Sequence, residues 1–436
     1  MSSYIKELYS LFLQHSLIST DTRVLKKDSL FFALKGENFN GNKFASQALE
    51  GGCSIAIIDE EKYKQDERYF LVPDVLLALQ ALAKFHRQQL AIPVIAITGS
   101  NGKTTSKELI FSVLSQKYNT CATQGNLNNH IGVPLTLLSI KKEHEMAVVE
   151  MGANHVGEIK ELCDIAQPDF GIITNIGKAH LEGFGGFQGV IKAKKELYDF
   201  IGQHQGIVFV NSDNSLLSDL SRELKTISYG TSANCYCMAA LADCDPYLQL
   251  KWKLNADPLP LEKKQTVNTQ LIGSYNFENV LAAACIGSYF KVEEAKISKA
   301  LENYLPTNNR SQVLKKNSNE IFLDAYNANP TSMHAAIENF SGLSGSQVII
   351  LGDMLELGTE SNREHQLIIE LIKSKNFLNV ILVGKYFSSL SNIQGAKLFE
   401  NSDDAFTWLK QQSIINSRIL IKGSRGIKLE KLVDAL

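Results

Sequence analysis

Apolar residues follow three successive rhythms along the chain. From Met1 to Ser16, Ile5, Leu8, Tyr9 and Phe12 recur at helical spacing around Lys6 and Glu7, which predicts an amphipathic helix. Short apolar stretches follow, Leu30 to Leu34 and Ile55 to Ile58, separated by turn-rich sequence such as Gly36 to Gly41. A helical run from Leu76 to Gln89 stops before Pro93 and closes a first block at about residue 91.

The second block, 92–308, opens on Val94-Ile95-Ala96-Ile97-Thr98, an unbroken run that predicts a strand buried on both faces. A glycine-bearing loop and a helix from about Ser106 to Gln116 come next. Met146 to Val149, Phe170 to Thr174 and Ile207 to Val210 have the same character, with helical segments between them. That alternation predicts a parallel sheet with helices on both faces. Tyr247 to Leu254 differs. Its Leu248, Leu250, Trp252 and Leu254 alternate with other residues, as in a half-exposed antiparallel strand.

The third block, 309–436, repeats the strand–helix rhythm through Ile321 to Asp324, Val348 to Leu351, Val380 to Val383 and Ile419 to Ile421. A closing helix is predicted from about Leu429. The fold class is therefore α/β in three domains: a small α/β domain over 1–91, a central domain with a parallel sheet over 92–308, and a C-terminal Rossmann-like doubly wound domain over 309–436.

Composition narrows the function. The 436 residues carry a formal net charge of -2, against a nucleic-acid binder dominated by phosphate contacts. Seven cysteines at irregular spacing, with no CxxC pair, predict reduced thiols. No apolar run approaches the ~18 residues of a membrane span, and Lys6 and Glu7 interrupt what a signal peptide would keep apolar. A soluble, cytoplasmic protein is expected, without nucleic-acid or membrane partners.

The strongest chemical signal is Thr98-Gly99-Ser100-Asn101-Gly102-Lys103-Thr104-Thr105, between a strand and a helix. Backbone N–H groups of such a loop curl around phosphate oxygens, and the helix N-terminus adds its positive dipole end. Lys103 would reach the β- and γ-phosphates of ATP and the Thr104 hydroxyl would bind Mg²⁺. Ile97 occupies the first glycine position of the full phosphate-loop pattern. Glu150 follows the strand Met146 to Val149, where ligands gather in open α/β sheets. His180 follows the next strand's Thr174-Asn175-Ile176-Gly177-Lys178-Ala179, and the sheet is expected to bring it near Glu150. Nothing local distinguishes Lys194 from Lys192 or Lys195.

These residues resemble the Mur ligase family, and the resemblance runs through the whole chain. It is carried by Thr98 to Thr105, Thr123 to Pro134, Glu150 to Ile159, Asp324 to Pro330 and Leu351 to Gly358. It implies an ATP-dependent amide ligase that works through an acyl phosphate, with ATP and Mg²⁺ as cofactors. The implied substrates are UDP-N-acetylmuramoyl-tripeptide and D-alanyl-D-alanine, and a monomer is expected.

By the same resemblance Lys103, Glu150, His180, Lys194 and Arg310 are catalytic. Thr104, Glu150, His180 and a carbamylated Lys194 would hold metal, His180 on a second Mg²⁺. Gly99, Ser100, Asn101, Gly102, Thr105, Asn276 and Asn279 would surround the nucleotide, joined by Arg310, Asp324, Tyr326, Asn327 and Asn329 from beyond the hinge. In the first domain Asp21, Thr22, Arg23, Lys35 and Gly36 match a UDP-sugar pocket. Asn126, Asn128, Asn154, His155, Lys422, Ser424 and Arg425 would meet the peptide and amine substrates. Relatives often carry Asp-Gly-His at Asn40-Gly41-Asn42, and histidine at Tyr275. The alternatives are another Mur-type or folylpolyglutamate-type ligase, a P-loop ATPase driving a partner, and a nucleotide-binding module without catalysis. The segments Glu150 to Ile159 and Asp324 to Pro330 favour the first reading.

Overall fold

The computed structural model describes residues 3–306, 309–390 and 394–436. The expected division after residue 308 therefore falls on residues outside those described. The described strands form three main sheets, one per block, and a two-stranded ribbon of Lys35–Gly36 with Phe39–Asn40.

In the first sheet Leu17–Ser19, Ser29–Phe32, Ile55–Ile58 and Tyr69–Leu71 lie side by side, all parallel. The central sheet has nine strands. Val94–Thr98 sits between Phe170–Ile173 and Met146–Glu150, with parallel neighbours out to Thr120–Ala122 and Thr226–Gly230. Beyond Cys237–Asp243 the pairing turns antiparallel through Tyr247–Leu254 to Val267–Ile272. The third sheet is parallel except for a hairpin of Gln312–Lys316 with Asn319–Asp324 at one edge.

Every residue of Val94–Thr98 is buried, as the unbroken run predicted. Val94 and Ala96 pack with Ala147, Val149 and the helix Val75–Gln88. Ile95 and Ile97 face Leu109, Ile110 and Ala283 on the other side. In Tyr247–Leu254 the alternation also holds, with Leu248, Leu250 and Trp252 buried and their neighbours half-buried.

The structure differs from these expectations in three places. The helix expected from Ser106 begins at Lys103, because Gly102 turns left-handed (φ 78°) and ends the loop earlier. The closing helix is a 3₁₀ segment, Leu429–Ala435. Strands of three residues such as Leu17–Ser19, Tyr69–Leu71 and Thr120–Ala122 lack a period long enough to read and owe their state to pairing with neighbours. All seven cysteines are free thiols. Among the described residues no helix is long and apolar enough to cross a membrane.

The first and central blocks are joined by buried polar groups. Arg87 donates to the carbonyls of Ala166 and Gln167 at 3.0 Å and to Asp169 Oδ2 at 2.9 Å, while Asp169 also accepts from Val94 N at 2.9 Å. Truncation would leave these acceptors unpaired at a closed joint. Arg87→Ala should therefore destabilise the protein by roughly 2–4 kcal/mol, discounted for the half-exposed Asp169. Chemical denaturation checks this, and a loss below about 0.5 kcal/mol would mark the joint as incidental.

Candidate active site

The loop after Val94–Thr98 needs its glycines. A Cβ on Gly99 (φ 146°) would lie 2.0 Å from Thr174 Oγ1, and one on Gly102 would meet the Asn279 amide at 2.6 Å. The following loop of the sheet clamps it. Ser100 N and Asn101 N donate to Asn175 O and Oδ1, both at 3.0 Å. Ser100 Oγ bonds Gly177 O and accepts from Gly177 N, again at 3.0 Å, and Thr174 Oγ1 donates to Asn101 O at 2.6 Å. The loop is thus pre-formed.

Lys103 Nζ folds back on the carbonyls of Gly99 (2.6 Å) and Ser100 (3.4 Å). Burial pushes its ammonium below the usual lysine range, Glu150 opposes that, and the Arg310 charge adds to it. Thr104 and Thr105 are buried in the first helical turn.

Glu150 ends its strand in the interior. Its Oε1 accepts from Asn128 Nδ2 at 2.8 Å, while Oε2 has no hydrogen-bond partner and lies 3.9 Å from Lys107 Nζ. A buried carboxylate oxygen without a donor, beside a phosphate loop, is a fitting first ligand for a divalent cation. Among the described residues no three His, Cys, Asp or Glu side chains converge as a metal group.

Lys107 was not singled out from the sequence. It lies one helical turn after Lys103, is buried, donates to Gly125 O at 3.2 Å, and is held below the usual lysine range by burial. Its spacing from Lys103 is the only signal that could have found it.

The strands leading to Glu150 and His180 flank Val94–Thr98 on opposite sides. His180 itself adopts a left-handed backbone (φ 51°), and its Nδ1 lies 2.5 Å from Glu356 Oε2 in the third domain. Lys194 separates clearly from its neighbours. Lys192 is exposed and Lys195 is paired with Asp199, whereas Lys194 is buried, with Nζ 5.2 Å from the Phe184 ring centroid. Burial foremost, then the charge of Lys103, bring its amine down to about 7, against the pull of Glu158 and Glu196.

The third domain touches the loop directly. Asn329 Nδ2 donates to Asn101 Oδ1 at 2.7 Å while its carbonyl oxygen Oδ1 caps the helix Pro330–Ser341. The Arg310 guanidinium stacks 3.6 Å from the Tyr326 ring centroid, and its buried Nε has no hydrogen-bond partner. Arg425 lies over the same ring at 5.3 Å. The Asn327 side chain caps the N–H of Ala328.

Several residues expected at ligands make internal contacts in the structure. Lys422, expected beside the incoming amine, is buried and bonds Asp324 Oδ2 at 2.5 Å, its partner in the parallel register. Asp324 is therefore also committed internally. Ser424 is buried, accepting from Leu355 N at 2.9 Å and donating to Ala328 O at 3.2 Å. Arg425 alone of that trio is exposed.

Asn276 and Asn279, expected around the nucleotide, form a chain from Ser106 Oγ through Asn279 and Asn276 to Ile272 O and Ser311 Oγ, with steps of 2.8–3.1 Å. They tie the helix after the phosphate loop to the segment entering the third domain. Tyr275, beside them, is half-buried, and desolvation raises its phenol.

In the first domain Asp21 and Arg23 form an exposed ion pair, and Thr22 is half-buried. Lys35 contacts Asp59 (2.8 Å) and Glu60 (3.1 Å). Gly36 opens onto free space. Asn40 and Asn42 bond the same carboxylates, at 2.8 Å each, which gives this chain's asparagines a structural role. Asn126 is exposed. Asn154 and His155 are exposed around Glu158, with His155 Nδ1 3.0 Å from its carboxylate.

A clamped phosphate loop, an unsatisfied buried carboxylate and a second α/β domain contacting the loop define a nucleotide-dependent enzyme that works at a domain joint. The chain belongs to the Mur ligase family. Residues 97–287 match the Mur ligase middle domain, 309–425 the Mur ligase glutamate ligase domain, and 15–87 the Mur ligase family catalytic domain. It is 35% identical to UDP-N-acetylmuramoyl-tripeptide–D-alanyl-D-alanine ligase of Bacillus subtilis over 435 residues, covering 96% of this chain and 92% of that one. It is also 35% identical to the ligase of that name from Escherichia coli, over 96% of this chain and 93% of the relative. A crystal structure of MurF from Acinetobacter baumannii superimposes with a TM-score of 0.84 at 33% identity, covering 96% and 92% of the two chains. A Mycobacterium tuberculosis folylpolyglutamate synthase shares the fold at 12% identity and TM-score 0.61, over 83% and 94%.

Proposed function

We infer that this protein is an ATP-dependent ligase that adds D-alanyl-D-alanine to UDP-N-acetylmuramoyl-tripeptide in peptidoglycan precursor synthesis. The observation that carries the mechanism is the meeting of Lys103, Arg310 and the Asn101–Asn329 contact at one domain joint. The full-length likeness to ligases of that name supports the substrate pair. ATP use is supported by the pre-formed phosphate loop and by an ADP complex of MurF from Thermotoga maritima, which shares this fold.

The tripeptide carboxylate is a poor acylating agent. One of its oxygens attacks the γ-phosphorus of ATP, the bond to the β-bridging oxygen breaks, and ADP leaves. Lys103 and Arg310 offset charge on the moving phosphoryl group. The free amine of D-alanyl-D-alanine then attacks the carbonyl carbon of the acyl phosphate. The resulting tetrahedral centre loses a proton and expels phosphate, leaving the amide.

Thr104, Glu150, His180 and a carbamylated Lys194 would hold Mg²⁺, which supplies charge neutralisation on the phosphates. A carbamate requires a neutral amine as nucleophile, and the low position of the Lys194 amine provides one near neutral pH. Arg425, exposed beside Tyr326, would pair with the dipeptide carboxylate. The first domain would carry the UDP moiety around Lys35 and Gly36.

Phosphate release measured with UDP-N-acetylmuramoyl-tripeptide, with and without D-alanyl-D-alanine, tests the assignment. The dipeptide should raise steady turnover strongly. Phosphate release indifferent to it would favour a plain ATPase.

A further inference from the structure

The loop that follows Phe170–Ile173 works in two directions. Through Thr174, Asn175 and Gly177 it holds the phosphate loop, as described above. Its next residue, Lys178, turns to the third domain. Lys178 N donates to Thr331 Oγ1 at 3.1 Å, at the start of the helix Pro330–Ser341. Lys178 Nζ lies 2.5 Å from Glu364 Oε1, in the first turn of the helix Ser361–Ser374.

Glu364 gives this contact its weight. Its side chain is 4% exposed, and among the described residues Lys178 is its only hydrogen-bond and ion-pair partner. A carboxylate removed from water is tolerated only when paired, so the third domain brings to the joint a charge that the central domain must answer. Thr331 stands two residues from Asn329, which touches the phosphate loop. The joint therefore carries, beside the His180–Glu356 pair, a contact from Asn329 to the phosphate loop itself and contacts from Thr331 and Glu364 to the loop that holds it.

We propose that Lys178 is a positioning residue for ligation. It fixes the third domain, with Tyr326 and Arg425, in one register over the phosphate loop, so that occupancy of that loop and placement of the amine acceptor are linked. The inference rests on the ligase reading above. Lys178 itself touches no reacting atom.

The test uses Lys178→Met, Glu364→Gln and the double variant, all shown to be folded by circular dichroism. Three quantities are read: kcat with D-alanyl-D-alanine, KM for UDP-N-acetylmuramoyl-tripeptide, and the radius of gyration with a non-hydrolysable ATP analogue and the tripeptide substrate. Each single variant should lower kcat about tenfold, within the range of couplings between residues in contact. Each should also weaken ligand-induced compaction and leave KM for the tripeptide substrate within about twofold. The double variant should be no worse than either single one, because the second change removes a partner already lost. Lys178→Arg should keep most activity, so the comparison with Lys178→Met decides the matter even if Glu364→Gln fails to fold. Wild-type turnover and compaction in the single variants, or losses that multiply in the double one, would overturn the proposal. If the unaltered protein shows no dipeptide-dependent turnover, the ligase reading fails, and the compaction series still judges the joint.

Discussion

Lys103→Ala should lose nearly all turnover while unfolding at an unchanged or higher temperature. Among the described residues its ammonium bonds only the carbonyls of its own loop, and the proposed mechanism uses it against phosphate charge. Removing such a contact typically costs ~3 kcal/mol or more at the transition state, on the order of a hundredfold in rate. The stability side follows from linkage. Burial holds the folded pKa of Lys103 below its unfolded value, so the folded state disfavours the proton. That penalty is absent above the unfolded pKa and grows as pH falls below it, which includes neutral pH. Alanine carries no such penalty. Steady-state phosphate release and a thermal melt check both halves, and near-normal activity with an intact melt would remove Lys103 from the mechanism.

Lys194→Ala should be inactive and should regain part of its activity with a short added carboxylic acid such as acetate. A carbamate is a carboxylate carried on the lysine, so a free carboxylate can partly take its place. The structure adds a pH argument to the resemblance. With the amine at about 7, a large share is neutral at physiological pH. An unperturbed lysine, with pKa ≈ 10.4, would be neutral in only roughly one molecule in 2,500 at pH 7. Bicarbonate-dependent activation of freshly decarbamylated enzyme should therefore weaken as pH falls below 7, where the amine becomes protonated. Full activity in the unsupplemented alanine variant would show that this lysine is only a packed side chain over Phe184.

The two residues show where sequence is informative. Lys103 was legible because strand, glycine loop and helix are local, and Val94–Thr98 announces itself by five buried residues in succession. Glu150 was legible for the same reason, as the last residue of a similar run. Lys194 was not separable from Lys192 or Lys195, since packing against Phe184 selects it and that contact is tertiary.

Lys422 was drawn toward the incoming amine by resemblance, and its pairing with Asp324 across the parallel register is a tertiary contact that no local pattern displays. Asn276 and Asn279 were drawn toward the nucleotide by resemblance, while their amides close a chain to Ser106 and Ser311 that no local pattern displays. The helix Phe277–Tyr289 that carries Asn279 is buried on nearly all sides, so it has no polar face to betray its period. Lys178, Glu356 and Glu364 acquire their meaning only across the domain joint.

The central claim is that the tripeptide carboxylate is activated as an acyl phosphate. It is tested most directly by labelling both oxygens of that carboxylate with ¹⁸O and running the complete reaction. When the carboxylate attacks phosphorus, one labelled oxygen becomes the bridge to phosphate and leaves with it as the amide forms. The account predicts that inorganic phosphate from each productive turnover carries one ¹⁸O, with the other retained in the new amide carbonyl. Unlabelled phosphate accompanying amide product would contradict it.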